Sequence, residues 1–362
     1  MAAPTKQKRV KMVDASNAMT STFREASESW LTWATTRTRR RIRETSKPSI
    51  RSALDKWILP EIGDILLPNV HNKSVKPLVQ KMKDAGLAPK SIQTYTNLIK
   101  TVMASILDEE TGEPVFMRKW NATVLDLPIV KDQKTPCFEA KEIEMLLTIT
   151  SGWEHMLYLV LAATGLRIGE ALALEAKHVI RGGRSLNIEQ QVSRFGDVVP
   201  YTKTDAGKRE VDLHPDITSQ LVPFVQGKKG LLFPTRNGTP RLPGNVEKRT
   251  LAVHNKKGFH AFRRYRESWL SEMSCNPDLR LFWLGHRPET MSEIYSKICR
   301  NVKARLAEAE RVGVGFDPKT KGMFEKRGHK YYPTETKTKA ELKRERDAII
   351  RAFNERVQAG EI

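Results

Sequence analysis

Four short stretches of this sequence bring together side chains that handle charge and protons at close spacing. Arg167 and Glu170, in TGLRIGE, stand three residues apart at a helix start, so the carboxylate can orient the guanidinium or a neighbouring imidazole. His260 and Arg263, in HAFRRY, are also three apart and share a helical face. Lys203, in YTKTDAGKREV, precedes a hairpin turn, where a long cation can reach into a groove. In LGHRPETMSEIYSKI, His286 stands nine positions before Tyr295. On one straight helix nine residues turn through about 900°, which would put the two on opposite faces. A bend lets them converge, and the sequence supplies one. Gly285 suits a helix end, Pro288 biases Arg287 away from the α region, and Pro288 itself suits the first turn of a new helix. Tyr295 is then either a phenolic nucleophile with an acid/base partner or a core tyrosine, since Met291, Ile294, Tyr295 and Ile298 recur at helical spacing. Taken singly, each pair also has a plain reading: a surface salt bridge, a chance HxxR, a solvated lysine.

The elements that must hold these residues can be read from periodicity. Residues 1–19 are polar, basic and non-periodic and are expected to form a flexible tail. From residue 20 to about 125 the pattern predicts a small helical domain. Its first helix starts near 22, where Thr22 and Glu25 fit a capping box, and others cover about 48–58, 74–84 and 90–107. The first helix is expected to run into TRTRRRIR, which places five arginines in seven positions; this is either a solvated helix end or a phosphate-contacting segment. A second domain, 126–300, begins with a connecting stretch and then reads as two helices around AKEIEMLLTI and EHMLYLVLAA, with a break at Gly165. Short alternating runs then predict a two- or three-stranded antiparallel sheet within 185–213. Helices follow from about 215, then at 259–272, 277–284 and 289–299. The remainder, 301–362, is a charged extension, partly helical, in which Leu342, Ile349, Phe353 and Val357 align on one face. The fold class is mainly α with a small antiparallel β-sheet.

Composition narrows the partner. The 362 residues carry a formal charge of +20, which favours a polyanion, nucleic acid first and an anionic membrane second. No run approaches the roughly 20 apolar residues that span a bilayer, and no apolar stretch follows the N-terminal charges, so the expectation is a soluble, intracellular protein. Cys137, Cys275 and Cys299 are scattered, without CxxC spacing, and suggest neither a disulfide framework nor a zinc site.

Taken together, the ordered set Arg167, Lys203, His260-x-x-Arg263, Leu284-Gly285-His286 and Tyr295 resembles the tyrosine recombinases, or phage-type integrases. TGLRIGEALAL is similar to that family's first catalytic box, and the nine-residue interval to the tyrosine is the family's usual one. The helical region at 20–108, with its GLAPKSIQTY turn, resembles the core-binding domain, so the resemblance covers about residues 20–300. Arg264 stands where many members carry His, and the HxxR spacing favours Arg263 as the arginine that faces the phosphate.

The resemblance implies a helical core-binding domain and a catalytic domain that clamp duplex DNA, with catalytic residues Arg167, Lys203, His260, Arg263, His286 and Tyr295 and a supporting Glu170. Such a set suits phosphodiester exchange, because preorganised donors aimed at the non-bridging oxygens stabilise charge that develops in the transition state. Arg167 and Arg263 offer planar forks to those oxygens, and His286 hydrogen-bonds the scissile phosphate. His260 is the first choice for the base that takes the phenol proton, and Lys203 is the implied acid for the leaving oxygen. No metal, ATP or other cofactor is expected. The expected partners are double-stranded DNA with a specific recombination site and three further copies of the chain on synapsed DNA, from a monomer in solution, together with accessory DNA-bending proteins and no membrane. Localisation would be cytoplasmic and DNA-associated, on the nucleoid in a prokaryotic or viral setting. Arg39, Arg40, Arg41 and Lys90 are candidate DNA contacts. The C-terminal extension either docks on a neighbouring subunit through its Ile349/Phe353 face or packs on its own domain. Rival readings are a type IB topoisomerase-like relaxase, a catalytically silent DNA-binding accessory protein and a membrane-surface protein.

Overall fold

The structure, a computed structural model, describes residues 15–38, 41–108, 110–130, 135–200, 208–253, 257–286, 298–320, 324–327, 330–333 and 339–358. Its contacts divide the chain into two units, Met1–Gln133 and Lys134–Ile362.

The first unit is helical. Helix α1 (Phe23–Thr36) starts at the capping box, with Glu25 N–H donating to Thr22 Oγ1 at 3.3 Å and Thr22 N–H to Glu25 Oε2 at 2.8 Å. Its apolar stripe of Phe23, Ala26, Trp30, Leu31 and Ala34 is buried. The helix does not run into the arginine cluster as its pattern suggests. It stops at Thr36, Arg37 turns extended, and Ile42 N–H returns to Ala34 C=O at 2.7 Å, which brings the Ile42 side chain against the core. The competing contact is hydrophobic: a straight helix would leave Ile42 in water. Helix α2 (47–62) outlasts its expected end at 58 and passes through a π segment, Leu54–Ile58. Pro60 has no N–H to donate to Lys56 C=O, and the turn before it widens. Helices α3 (Asn72–Asp84) and α4 (Pro89–Ala104) complete the core through Val75, Leu78, Met82, Ile92, Ile99 and Val102. A short turn of helix at Ala15–Ala18 already buries Ala18, so order begins earlier than the expected tail boundary at residue 19.

The second unit is built around α6 (Gly152–Thr164), which follows α5 (Ala140–Ile149) and is buried all along Met156–Thr164. An all-round apolar helix of this kind needs neighbours on every side. These include α8 (Pro215–Val225) and α10 (His260–Glu272), which flank it, and the short α7 (Ile168–Leu172), which continues from it after Gly165. Between α7 and α8 lies a three-stranded antiparallel sheet in the order β1 (Val179–Ile180), β2 (Ser185–Ile188), β5 (Arg209–Asp212), beside a two-stranded ribbon of β3 (Gln191–Val192) and β4 (Val198–Val199). The register Ile188↔Arg209 and Leu186↔Val211 fixes which β5 side chains face inward.

Helix α11 (Pro277–Leu284) has the bounds expected for it, 277–284, and follows α10. Several other elements went unread in the sequence. Helix α9 (Pro243–Val253), with a weak apolar stripe, stands before α10. Helix α12 (Val302–Val312) and a hairpin of β6 (Phe324–Arg327) with β7 (Lys330–Pro333) precede the C-terminal α13 (Lys339–Gln358). Ile349, together with Ile350, packs against the core of its own unit, while the side chains of Leu342, Phe353 and Val357 lie outside those described. The helix expected over 289–299 also lies outside the described residues, apart from its end, which joins a 3-10 turn at Ile298–Arg300. No helix among the described residues is long and apolar enough to cross a membrane.

Candidate active site

Two glycine-capped helix ends meet to form the site. Gly165 ends α6 in the left-handed conformation (φ 67°), with its N–H on Leu161 C=O at 2.8 Å. The left-handed conformation favours glycine, and a Cβ at Gly165 would lie 2.9 Å from Leu284 Cδ2, so a larger residue would also displace that side chain. Gly285 ends α11 in the same way (φ 64°), and the pair of bonds from Gly285 N–H to Phe282 C=O and from His286 N–H to Leu281 C=O, both 3.0 Å, forms a Schellman motif. These caps determine where the backbones of TGLR and LGH point.

Arg263, from the first turns of α10, ties the two ends together. Its Nη1 donates to Gly165 C=O at 3.0 Å and its Nη2 donates to Leu284 C=O. Burial, and then the nearby Arg167, push its pKa down to about 10, so it remains cationic at neutral pH. Two of the five N–H donors of a guanidinium are engaged by these carbonyls, and the others stay available. Arg167 caps α7, where its backbone N–H donates to Glu170 Oε2 at 3.1 Å and its Nη1 to Glu170 Oε1 at 2.8 Å. Its Nη2 lies 3.5 Å from Gly285 C=O, and its side chain is 25% exposed, enough to leave an open edge.

Glu170 is fully buried and faces two cations. Arg209 Nη2 lies 3.1 Å from Glu170 Oε2 and Arg209 Nη1 3.4 Å from Oε1. Burial works to raise this carboxyl, but Arg209 first and Arg167 second hold it below the ordinary glutamate range. Arg209 was not singled out in the sequence, although a signal exists: it alternates with Val211 on a strand face that is otherwise apolar.

His260 opens α10. The turn before it is anchored by Lys257 Nζ on the Glu142 carboxylate at 2.6 Å, and Phe259 and Phe262 stack at 6.3 Å within an aromatic cluster that includes Phe138 and Tyr158. Burial, followed by Arg264, Arg263 and Arg167, holds the His260 imidazole below the ordinary histidine value. His286 is held down by burial and then by Arg263. In both rings burial and the neighbouring arginines favour the neutral form. Arg264 points elsewhere, with its Nη1 on Pro136 C=O at 3.0 Å.

The structure thus gathers Arg167, Glu170, Arg263 and His286 about one pair of turns, with His260 within electrostatic reach. Lys203 and Tyr295 lie outside the described residues, as do Arg39 and Arg40. Arg41 and Lys90 are in the first unit and exposed; Arg41 Nε donates to Thr35 C=O. Among the described residues no cluster of three or more His, Cys, Asp or Glu could hold a metal ion.

No family model matches the chain. It is 27% identical over 173 residues to the integrase of Staphylococcus phage L54a, an alignment covering 41% of this chain and 49% of the relative. The chain thus spans about half the length of that curated relative. Among solved structures it is similar to the Tn1549 transposon integrase in complex with transposon right end DNA, with a TM-score of 0.59 and 19% identity, over 80% of this chain and 99% of that one. It is also similar to a lambda integrase dimer bound to a COC' core site (TM-score 0.52, 16% identity, 88% and 100% covered). A lambda integrase tetramer bound to a Holliday junction matches at a TM-score of 0.53, with 16% identity and 76% and 77% covered. The fold, mainly helical with small antiparallel sheets, is similar to that of these integrases.

Proposed function

We propose that the chain is a site-specific DNA recombinase of the integrase type, which cuts and rejoins duplex DNA through a 3'-phosphotyrosyl intermediate. The observation that carries this reading is the convergence of Arg167 and Arg263 on the Gly165 and Gly285 turns, near the imidazoles of His260 and His286, in a fold similar to that of DNA-bound integrases.

In this reading Tyr295 is the nucleophile. Its phenol, with an ordinary pKa near 10, gives its proton to His260 as the oxygen attacks the scissile phosphorus. The phosphorus–oxygen bond to the 5' carbon breaks, and Lys203 protonates the departing oxygen. Charge gathering on the non-bridging oxygens meets the free N–H donors of Arg167 and Arg263 and the ring N–H of His286. The guanidiniums are already held by carbonyls and a carboxylate, so little reorganisation is needed when the charge develops. The product keeps the phosphoester bond energy, and a 5'-hydroxyl from a second duplex reverses the step without ATP. Glu170 supports Arg167. The DNA partner carries a specific site, and four copies act on two synapsed duplexes, as the tetramer of lambda integrase on a Holliday junction suggests. Arg39, Arg40, Arg41 and Lys90 contact the DNA backbone.

Mapping of protein-linked DNA ends identifies the site, and a nicked duplex carrying that site then traps the intermediate. The expected result is a covalent adduct with a free 5'-hydroxyl that disappears in Tyr295→Phe. An adduct that persists in Tyr295→Phe, or none with the unaltered chain, overturns the reading.

A further inference from the structure

Arg209 is a deeply buried cation near the site, with its side chain 1% exposed, and no step of the proposed mechanism uses it. Three parts of the unit that are distant in sequence meet at its guanidinium. On one edge Nε donates to Trp283 C=O at 2.7 Å, within the last turn of α11. On the other, Nη1 and Nη2 face both oxygens of Glu170 on α7. Its own strand, β5, begins six residues after Lys203. The plane of the guanidinium lies against Gly285: a Cβ there would come within 2.8 Å of Arg209 Cζ.

The anchorage of Arg209 is itself reinforced. Trp283, whose carbonyl receives Nε, donates its indole N–H to Asp212 Oδ2 at 2.9 Å, and Asp212 Oδ1 accepts from Ser185 Oγ at 2.7 Å. Arg305 of α12 lies with its Nε 2.9 Å from Asp212 Oδ2, a charge contact without hydrogen-bond alignment, and its Nη1 donates to Cys299 C=O at 2.7 Å. Arg209 is thus held on a braced strand and turn, and the edge it turns to Glu170 has little freedom.

We infer that Arg209 is a positioning residue: it holds the Glu170 carboxylate in the orientation that aims Arg167 at the phosphate, and it does so from the strand that follows Lys203. Glu170 cannot hold Arg167 alone at this depth. A carboxylate with no exposed surface and one partly exposed cation beside it pays a desolvation cost that favours the neutral acid, and a neutral acid orients a guanidinium weakly. The second guanidinium keeps the charge in place. An ordinary buried ion pair would stabilise the fold but need not face the group that binds substrate; here both carboxylate oxygens are shared between Arg209 and Arg167.

The inference rests on the proposed recombinase reading, and the test separates the two. Single-turnover adduct formation and DNA affinity are measured on a nicked duplex against pH for the unaltered chain, Arg209→Gln, Arg209→Lys, Glu170→Gln and the double variant. Arg209→Gln is expected to slow cleavage about 100-fold, the scale of a misplaced catalytic group, with DNA affinity changed less than about threefold. The charged groups facing Glu170 are then Arg167 from its own helix start and Arg263 from α10, with His286 the neighbouring titrating ring. With Arg209 gone the carboxyl titrates higher, so cleavage acquires an added loss as pH falls. Glu170→Gln is slowed to a similar degree without that added limb, and Arg209→Lys recovers part of the rate. The Arg209→Gln/Glu170→Gln double variant, which removes both charges of the buried Arg209–Glu170 pair together, equals Glu170→Gln within about threefold, since residues acting as one unit are not additive. A rate and pH profile for Arg209→Gln like those of the unaltered chain overturn the inference. So does a double variant far slower than Glu170→Gln, which decides the matter even where Arg209→Gln folds poorly. Absence of adduct with the unaltered chain would instead overturn the recombinase reading.

Discussion

The two units of the chain treat positive charge differently. In the first, cations sit at the surface beside carboxylates that are themselves wet: Arg24 with Asp64 has side-chain exposures of 46% and 85%, and Lys83 pairs with an exposed Asp126. Arg41 and Lys90 are exposed as well. In the second, Arg209, Arg263 and Arg305 are nearly enclosed and bonded to carbonyls and buried carboxylates. A wet pair contributes about 0–1 kcal/mol and is screened by salt, whereas an enclosed cation keeps its direction and most of its field. The contrast separates affinity from chemistry. The first unit carries charge that a polyanion can recruit; the second carries charge already aimed.

Substitutions and conditions sharpen this contrast. The largest effect is expected from Arg263→Met, which preserves bulk while removing the donors and the tie between Gly165 and Leu284 carbonyls. Single-turnover cleavage should fall about 10²- to 10³-fold, the scale for loss of one preorganised donor, while gel-shift affinity for the site moves little. If affinity and cleavage fell together, the enclosed arginine would be a general DNA contact and the contrast would break.

The effect of pH comes next. Burial and neighbouring arginines hold both His260 and His286 below the ordinary histidine value. A general base works unprotonated, so cleavage should be level through neutral pH and decline by about tenfold per unit only once pH falls below those depressed values. A pH–rate profile that already declines from pH 8 to 7 would assign the base elsewhere.

The smallest effects belong to the first unit. Lys90→Ala and Arg41→Ala should each weaken DNA binding a few-fold and lower the slope of log affinity against log salt by about 1, with cleavage at saturating DNA unchanged. A changed rate at saturation would place these cations in the chemistry and erase the distinction between the units.

Local pattern made much of this molecule readable. The Thr22–Glu25 box, the apolar stripes of the first unit, the break at Gly165 and the short strands all carry a pattern within a few residues, which a linear reading captures. Features with weak or competing local signals were not captured: α9, α12 and the β6–β7 hairpin have polar sequences, and α1 ends early because Ile42 finds the core. For the C-terminal extension, both of its expected placements were compatible with one apolar stripe, and the contact of Ile349 and Ile350 with their own unit comes from tertiary packing.

The same division runs through the site. Residue types and spacing made Arg167, Glu170, His260, Arg263 and His286 candidates, and the resemblance to the tyrosine recombinases selected them as a set; phosphate chemistry explains why forks, imidazoles and an orienting carboxylate belong together. Which groups hold them was decided only in three dimensions. Arg263 spans Gly165 and Leu284, residues 98 and 21 positions away, and Arg209 meets Glu170 and Trp283 at separations of 39 and 74. No periodicity encodes such meetings. They follow from the strand register that turns Arg209 inward and from the two glycine-capped ends that bring backbone carbonyls to one point, so the burial that orients these charges exists only once the fold has closed around them.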